Sequence, residues 1–408
     1  MKLFEDHIRR GEFTIIEADG TRTQYGEGDP KATWIIRRPG AIREILTNPA
    51  MNLGKTYLDQ AWEVADGRLA ELLTILRSNI EREVSRRSLL GIWAGILKSW
   101  NHVHMSLLNV SHHYDLDAAL FHTFLDRDMH YSCAYYRDRD SSLETAQLAK
   151  CNHIARKLLL EPGHRVLDIG SGWGSLAMHL AEHHSVHVTG LTLSVEQLKA
   201  AREEAAHRGL ADRVEFRLED YREHYGRYDR VVSVGMFEHV GRPNFRRYFA
   251  RMHDFLRENG IALLHTIGAS GRPGQTNPWI RRHVFPGGYL PALSEILPAS
   301  ERSSLTACDI EVWRMHYAFT LKEWNRRFQA HRAEIAAVKG ERFCRMWEFY
   351  LVASQTAFEL GRINVFQLQL QRGNAPIPLT RDYLYRDEAA LGMDATSYLT
   401  TRVESRGS

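Results

Sequence analysis

The chain carries little net charge and has no long apolar run. Its 53 Lys and Arg residues are almost balanced by 50 Asp and Glu, so the formal net charge is only +3. This charge is too small to favour a nucleic-acid partner, although clustered basic residues can still attract acidic lipid headgroups. A membrane-spanning helix needs roughly 20 apolar residues, and the nearest candidate, residues 89–97, ends at Lys98. We therefore expect a globular protein that does not span a membrane.

Cysteine is also scarce, and the four cysteines form no C-x-x-C pair and no disulfide-like spacing. The N-terminus has acidic residues at Glu5 and Asp6 and lacks the apolar core of a signal peptide. These features predict a protein of the reducing cytoplasm. The H-E-x-x-H pattern of one zinc-enzyme class is missing among the 21 histidines, and we expect no metal site.

An apolar strand runs directly into a glycine-rich turn at residues 166–174, Val-Leu-Asp-Ile-Gly-Ser-Gly-Trp-Gly. A helical pattern follows over 175–182, and further strands are predicted over 188–192, 214–218 and 229–234. Strands that alternate with helices in this way predict an α/β fold with a doubly wound parallel sheet. Such sheets bind ligands at the carboxyl ends of their strands.

The turn favours S-adenosylmethionine over a dinucleotide. Its G-x-G-x-G spacing departs from G-x-G-x-x-G, and the second strand ends in Thr-Leu-Ser where a dinucleotide site has an acidic residue. Asp168 can fix the turn or face the positive end of the cofactor, while Gln197 can bind the ribose hydroxyls. The candidate cofactor residues are Asp168, Gly170, Gly172, Gly174, Thr192, Leu193, Ser194, Gln197 and the pair Asp220-Tyr221, which can bracket the adenine ring. The glycines can also serve only to form tight turns.

The period of the apolar residues divides the chain. Alternation over 13–37 around an Asp-Gly turn predicts a β-hairpin, and a helical period follows to about residue 100. We therefore predict a small α+β N-terminal domain over 1–100, a catalytic domain over 101–375 and a C-terminal tail over 376–408.

Two segments of the catalytic domain stand out. Residues 273–298 contain five prolines, which predicts an irregular lid across the open end of the sheet. A helical pattern over 321–371 follows this segment. An acyl tunnel between the lid and these helices is a natural expectation, with candidate walls at Phe285, Tyr289, Phe349, Tyr350 and Phe366.

Seven segments lie in the order in which one enzyme family has them. They are His-Tyr-Asp-Leu at 113–116, Tyr-Ser-Cys-Ala-Tyr at 131–135, the glycine turn, Gly-Met-Phe-Glu-His-Val-Gly at 235–241, Leu-His-Thr-Ile-Gly at 264–268, Asn-Pro-Trp-Ile at 277–280 and Phe-Pro-Gly-Gly-Tyr-Leu-Pro at 285–291. Over about residues 110–370 the chain resembles the cyclopropane-fatty-acyl-phospholipid synthases and the related mycolic acid methyltransferases. The resemblance implies a class I, Rossmann-like methyltransferase fold. The N-terminal domain looks like the extra domain of the phospholipid-acting branch.

The resemblance also implies a reaction. The cis double bond of an unsaturated phospholipid acyl chain attacks the sulfonium methyl, the carbocation loses a proton to bound bicarbonate, and a cyclopropane ring closes. The family's bicarbonate ligands correspond to Cys133, Glu238, His265, the backbone of Ile267, and Tyr317, while Tyr131 and Ser132 correspond to cofactor residues. A carbocation needs a water-free site with a positioned weak base. Glu238 fits beside an anion if it accepts the hydrogen bond of bicarbonate's own O–H.

Other interpretations stay open. Cys133 can be a small core residue, Glu238 a helix cap, and His265 a satisfied core histidine. The same carbocation can lose its proton elsewhere, which would make the protein a fatty acyl C-methyltransferase with a methyl- or methylene-branched product. Residues 117–121 motivate this alternative because they depart from the family pattern. A non-catalytic lipid- or cofactor-binding module is a third interpretation.

The membrane is an expected partner. Arg281, Arg282 and His283 lie beside Trp279 and Phe285, and a basic–aromatic mixture suits a lipid interface. An ordinary solvated loop would have the same composition. The resemblance implies a homodimer that contacts the inner face of the cell membrane.

Overall fold

The computed structural model describes residues 2–79 and 118–385. The N-terminal part contains α1 (Lys2–His7), β1 (Gly11–Ile16), β2 (Arg22–Glu27), β3 (Lys31–Ile36), α2 (Ala41–Thr47), α3 (Pro49–Leu58), β4 (Trp62–Val64) and α4 (Leu69–Asn79). Its sheet has the order β2-β1-β3-β4, with β1 antiparallel to β2 and parallel to β3. The predicted hairpin is confirmed as the β1–β2 pair. Alternate residues of β1 and β3 point inward, where Phe13, Trp34 and Trp62 are buried.

The rest of the described chain forms a three-layer α/β unit. Its elements are α5 (Ala118–Phe124), α6 (Leu143–Leu158), β5 (Arg165–Ile169), α7 (Ser175–His184), β6 (His187–Thr192), α8 (Val195–His207), β7 (Val214–Leu218), β8 (Tyr228–Val234), α9 (Phe245–Phe255), β9 (Leu256–Ala269), α10 (Pro278–His283), α11 (Leu293–Glu301), β10 (Thr306–Trp313), α12 (His316–Ala330), α13 (Arg332–Lys339), α14 (Glu341–Glu359) and β11 (Ile363–Gln371). The seven-stranded sheet has the order β10-β11-β9-β8-β5-β6-β7. Strands β5 to β9 pair in parallel, and β11 is antiparallel to both of its neighbours.

The order of the strands determines where a ligand can bind. The chain moves from β5 outward through β6 to β7 and then returns to β8 on the other side of β5. This reversal opens a crevice at the carboxyl ends of β5 and β8. The central strands β5 and β8 are buried on both faces, as is usual for parallel strands, whereas the edge strand β7 alternates between buried and less buried residues.

Two secondary-structure predictions need correction. The helical prediction over 321–371 is wrong at its end, because residues Ile363–Gln371 form β11. The segment itself carries a strand signal, because Phe366, Leu368 and Leu370 alternate with Gln367, Gln369 and Gln371, and the helical period ends before it. The predicted irregular lid also contains α10 and most of α11, of which α10 begins at Pro278 after the N-cap residue Asn277.

The N-terminal part docks on α14. The guanidinium of Arg345 donates to the backbone oxygens of Tyr57 (2.7 Å) and Trp62 (2.9 Å), and the Tyr57 hydroxyl donates to Glu348 at 2.9 Å. Arg77 on α4 donates to Thr356 Oγ1 at 2.7 Å. The N-terminal unit is therefore packed against the helix that carries part of the site described below.

Several expectations concern residues outside the described parts. They are the motif at 113–116, Asp117, the domain boundary near residue 100 and the tail beyond 385. Within the predicted tail, Leu384 is buried and its backbone oxygen accepts from Arg156 at 3.1 Å. In the described parts, no helix has both the length and the apolarity needed to cross a membrane.

Candidate active site

A cavity of about 160 Å³ occupies the crevice between β5 and β8. Ten of the candidate cofactor residues line it, namely Tyr131, Ser132, Asp168, Gly170, Gly172, Thr192, Leu193, Gln197, Asp220 and Tyr221. Gly174 and Ser194 do not line it. The cavity therefore lies where the strand order reverses, as the glycine turn predicts.

The three glycines of the turn have different structural roles. Gly172 has φ +54° and nothing within 4 Å of an added Cβ, so its backbone faces open space at the cavity. An added Cβ on Gly170 would lie 2.8 Å from Met236 Cβ, which is the close approach of the β5 and β8 ends. Gly174 instead lets α7 pack on β7, since its Cβ would lie 2.5 Å from the Phe216 ring.

Ser194 also acts indirectly. Its side chain caps α8 by accepting from the backbone N–H of Gln197 at 3.3 Å, while Thr192 Oγ1 donates to Gln197 Oε1 at 3.0 Å. Gln197 is thus held at the cavity by two neighbours from the β6–α8 turn. Its amide is a fixed polar group of the kind that binds hydroxyls.

Asp220 differs from the prediction in one respect. It lines the cavity, but Arg222 donates to both of its carboxylate oxygens, at 2.8 Å and 2.6 Å. Tyr221 packs edge-on against Tyr248 with a centroid distance of 5.4 Å. The pair therefore forms a rigid wall of the cavity.

Asp168 does not fix the turn, since its carboxyl makes no hydrogen bond with the described residues. Burial raises the pKa of Asp168 to about 7, against the opposing effect of Lys150. Lys150 lines the same cavity and donates to Ser132 Oγ at 3.0 Å. Sequence reasoning missed this lysine, because a lysine in a helical pattern is normally solvent-exposed.

A second cavity of about 330 Å³ adjoins the first. It is lined by all five residues that the resemblance assigns to catalysis: Cys133, Glu238, His265, Ile267 and Tyr317. Four residues line both cavities, namely Tyr131, Ser132, Gly235 and His239. We call the first the cofactor cavity and the second the acyl cavity. Their shared wall is where a group can pass from one ligand to the other.

Glu238 has an unusual environment in the acyl cavity. Its Oε1 accepts from the backbone N–H of Ile267 at 2.6 Å, and its buried Oε2 has no hydrogen-bond partner among the described residues. Burial raises the pKa of Glu238 to about 7. The Ile267 N–H that the resemblance assigns to bicarbonate therefore donates to Glu238 in this structure.

His265 is held in one orientation by a residue that sequence reasoning missed. Gln367 lies directly across from it on β11, and Gln367 Nε2 donates to His265 Nδ1 at 3.0 Å. Burial lowers the pKa of His265 to about 3, with a smaller contribution from Lys150. The ring is therefore neutral with its proton on Nε2, which leaves Nε2–H as the donor.

Cys133 and Tyr317 complete the set. Burial raises the pKa of the Cys133 thiol well above its usual value, so the group stays protonated. The Tyr317 ring packs on Phe358 at a centroid distance of 4.9 Å. Tyr131 stacks on Trp324 at 5.2 Å, and its hydroxyl lies 3.1 Å from that of Tyr350. The Cys133 thiol and the tyrosine hydroxyls are thus neutral groups that lie among aromatic rings.

The segment that carries Tyr131, Ser132 and Cys133 is fastened by a buried network. Asp126 Oδ2 lies 2.8 Å from His130 Nδ1, and His130 Nε2 lies 3.2 Å from Cys151 Sγ on α6. Gln147 also donates to the Ser132 backbone oxygen at 3.0 Å. The network explains how an irregular segment can hold these candidate site residues in place.

The predicted tunnel walls and membrane contact are partly wrong. Phe285, Tyr289 and Tyr350 line the acyl cavity, whereas Phe349 and Phe366 do not. Trp279 is only 1% exposed and packs on Phe349 at 4.8 Å. It therefore belongs to the interface with the N-terminal part and is not a membrane-facing aromatic.

Comparisons with known proteins agree with this geometry. The family model for the mycolic acid cyclopropane synthetases matches residues 102–368, which is more than half of the chain. The chain belongs to this family. A domain of unknown function matches residues 2–87.

Relatives match across most of the length. The chain is 39% identical to the cyclopropane-fatty-acyl-phospholipid synthase of Escherichia coli K12 over 352 residues, which are 85% of this chain and 89% of that protein. It is 36% identical to a probable fatty acid methyltransferase of Pseudomonas putida over 388 residues, 90% and 95% of the two chains. The crystal structure of the mycolic acid cyclopropane synthase CmaA1 with SAH and CTAB superposes with a TM-score of 0.62 and 32% identity, covering 65% of this chain and 98% of that one.

These findings confirm the class I fold and an S-adenosylmethionine-dependent methyltransferase of the cyclopropane synthase type. They support activity either as a cyclopropane fatty acyl synthase or as a fatty acid methyltransferase.

Proposed function

We propose that the protein transfers a methylene group from S-adenosylmethionine to the cis double bond of an acyl chain in a membrane phospholipid. The product is a cyclopropane, and bicarbonate bound in the acyl cavity takes up the proton. The observation that carries this proposal is the buried Oε2 of Glu238, an acceptor without a partner among the described residues, in the cavity that also holds His265, Cys133 and Tyr317.

The cofactor cavity suits S-adenosylmethionine. Gly172 leaves open space for a ligand, Gln197 offers a neutral amide to ribose hydroxyls, and Tyr221 gives an aromatic wall. When bound, the cofactor supplies an electrophilic methyl group. The chain's part is to aim this methyl at the acyl cavity through the shared wall of Tyr131, Ser132 and Gly235.

The acyl cavity suits a small planar anion. His265 Nε2–H is a donor, and Tyr317 adds a hydroxyl to the lining. The protonated Cys133 thiol donates to the Ala134 backbone oxygen at 3.3 Å and can turn its S–H to a bound anion. Ionised Glu238 would repel an anion but can accept the O–H of bicarbonate at Oε2, which orients it. Bicarbonate, when bound, supplies the base.

The rest of the acyl cavity suits a carbocation and the apolar acyl chain that carries it. Ile267, Leu321 and Phe358 line it, and the rings of Tyr131 and Tyr350 present faces that stabilise positive charge. The apolar lining excludes water, which would otherwise add to the cation.

The outer end of the acyl cavity supports a phospholipid substrate. Gln275, Asn277 and Arg362 are exposed lining residues, whereas the polar set at the other end is buried. Arg77 from the N-terminal unit also lines this cavity. Arginine matches the geometry of phosphate oxygens, so the charged side chains favour a headgroup at the opening. Dimerisation and contact with the inner face of the membrane stay predictions.

The alternative product is a methyl- or methylene-branched chain. The 36% identity to a probable fatty acid methyltransferase favours it. Both products arise from one carbocation, and the position from which the proton leaves decides between them.

The experiment is mass spectrometry of unsaturated phospholipid vesicles incubated with the full chain and S-adenosylmethionine carrying a labelled methyl group. We expect the label in the acyl chain as one added CH₂, with ring protons in the NMR spectrum of the product. Label in an exocyclic methylene group or a methyl branch would establish the alternative. An unlabelled lipid with intact cofactor binding would refute the phospholipid substrate.

A further inference from the structure

Lys150 is a buried lysine that the functions proposed above leave unused. It lies on α6 and is 1% exposed. Its Nζ donates to Ser132 Oγ at 3.0 Å. It lines the cofactor cavity and is not among the residues that line the acyl cavity.

A second lysine on the same helix shows what Lys150 lacks. Lys157 is also buried, but its Nζ lies 3.1 Å from Asp309 and 2.6 Å from Glu311. No carboxylate oxygen of the described residues lies within 4.0 Å of Lys150 Nζ. A buried ammonium without a counter-ion is costly, so the site is incomplete until an anion binds.

The bond to Ser132 adds a second donor. Because Lys150 donates to Ser132 Oγ, the serine hydroxyl must direct its own hydrogen to another acceptor. Ser132 lines both cavities, so its hydroxyl can donate to an acceptor on a ligand that is bound near their junction. An ammonium and a polarised hydroxyl side by side form a carboxylate-binding arrangement.

The cofactor brings a carboxylate to this end of its cavity. Its sulfur must lie at the shared wall if the methyl group is to reach the acyl cavity, and adenine belongs at the opposite end near Tyr221. The amino-acid part is attached to the same sulfur. Its α-carboxylate therefore comes to lie near Ser132 and Lys150, while Asp168 lines the same region for the α-ammonium.

We propose that Lys150 is a positioning residue that binds the α-carboxylate of S-adenosylmethionine, directly and through the Ser132 hydroxyl. By holding this carboxylate, Lys150 determines where the sulfonium lies along the cavity. The inference rests on the cofactor part of the proposed function and is independent of the lipid product.

The test compares two ligands by calorimetry without lipid. Decarboxylated S-adenosylmethionine keeps the sulfonium and the amine and lacks only the carboxylate. In Lys150→Met we expect the Kd of S-adenosylmethionine to rise about 10- to 100-fold, the effect of one charge-assisted contact. The Kd of the decarboxylated ligand should stay the same or fall, which also shows that the cavity is folded.

Two further variants make the result specific. Ser132→Ala should show a smaller loss that is likewise confined to the carboxylate ligand, and combining it with Lys150→Met should add little, since the two groups act together. Lys199→Met removes the same charge from an exposed position on α8 and should change neither Kd. Equal weakening of both ligands, or no weakening in either variant, would overturn the proposal. If Lys150→Met selectively weakens the binding of S-adenosylmethionine but the unmodified protein does not methylate lipid, only the proposed substrate is refuted.

Discussion

The carboxyl group of Glu238 accepts a hydrogen bond from the backbone N–H of Ile267 at 2.6 Å across two neighbouring strand ends, β8 and β9. One oxygen is thereby held in place, and the other is buried without a hydrogen-bond partner among the described residues, in a side chain that lines the acyl cavity. Burial raises the pKa of this group to about 7. Two predictions depend on this relationship.

The first prediction concerns the pH dependence of activity. If ionised Glu238 accepts the O–H of bicarbonate, kcat/KM should rise with pH through an apparent pKa near 7 and level off above it. His265 adds no step there, because its pKa of about 3 keeps it neutral. Glu238→Gln should lose about 100-fold or more in rate. It should show no step near neutral pH when kcat/KM for lipid is measured at saturating S-adenosylmethionine, where the titration of Asp168, whose pKa is also about 7, does not enter. An unchanged pH profile in Glu238→Gln would assign the step to another group.

The second prediction concerns stability. The folded-state pKa of Glu238 is raised from 4.5 to about 7, so the folded state binds the proton more tightly than the unfolded state. Its contribution to stability is complete below the unfolded pKa and is lost as pH rises through about 7. The loss amounts to roughly 3 kcal/mol at most. The stability of Glu238→Gln relative to the unmodified protein should therefore rise between about pH 4.5 and about pH 7 and stay constant above that range in urea titrations. Parallel stability curves for the two proteins would show that the carboxyl is solvated.

The third prediction concerns the residue across from His265. Gln367→Leu removes the donor to Nδ1, so the imidazole can place its proton on either nitrogen. We expect a loss of about tenfold in kcat with the Kd for S-adenosylmethionine unchanged, because Gln367 does not line either cavity. NMR of ¹⁵N-labelled histidine should show the Nε2–H form in the unmodified protein and a mixture in the variant. A drop in rate with the tautomer unchanged would indicate a packing effect instead.

The fourth prediction concerns the interface between the N-terminal unit and the acyl cavity. A Cβ on Gly54 in α3 would lie 2.5 Å from Trp279 Nε1 and 2.8 Å from Phe349 Cε1. Both rings belong to elements whose neighbouring residues, Ile280 and Tyr350, line the acyl cavity. Gly54→Ala should destabilise the protein by about 1–3 kcal/mol and raise KM for lipid more than it changes the Kd for the cofactor. Gly271→Ala is the matched control, since nothing lies within 4 Å of its added Cβ.

Local sequence patterns predicted much of the fold of this protein. The glycine turn predicted the cofactor crevice because a sharp turn after an apolar strand has few other uses, and ten candidate cofactor residues line one cavity. The prediction failed at β11, where the alternation from Phe366 to Gln371 follows a longer helical pattern, and at contacts between residues distant in the sequence. Strand β11 was taken for helix, and the partners of His265 and Ser132, namely Gln367 and Lys150, lie 102 and 18 residues away from them.

The sequence by itself determined the alternation of strands and helices, the glycine turn at the cofactor cavity and the identity of the polar residues in the acyl cavity. Only the tertiary structure decided which oxygen of Glu238 accepts from Ile267, which ring nitrogen of His265 carries the proton and which of two buried lysines on α6 has no counter-ion among the described residues. The reason is physical. Secondary structure follows from short-range periodicity, whereas protonation and hydrogen-bond direction depend on burial and on partners that only folding brings together.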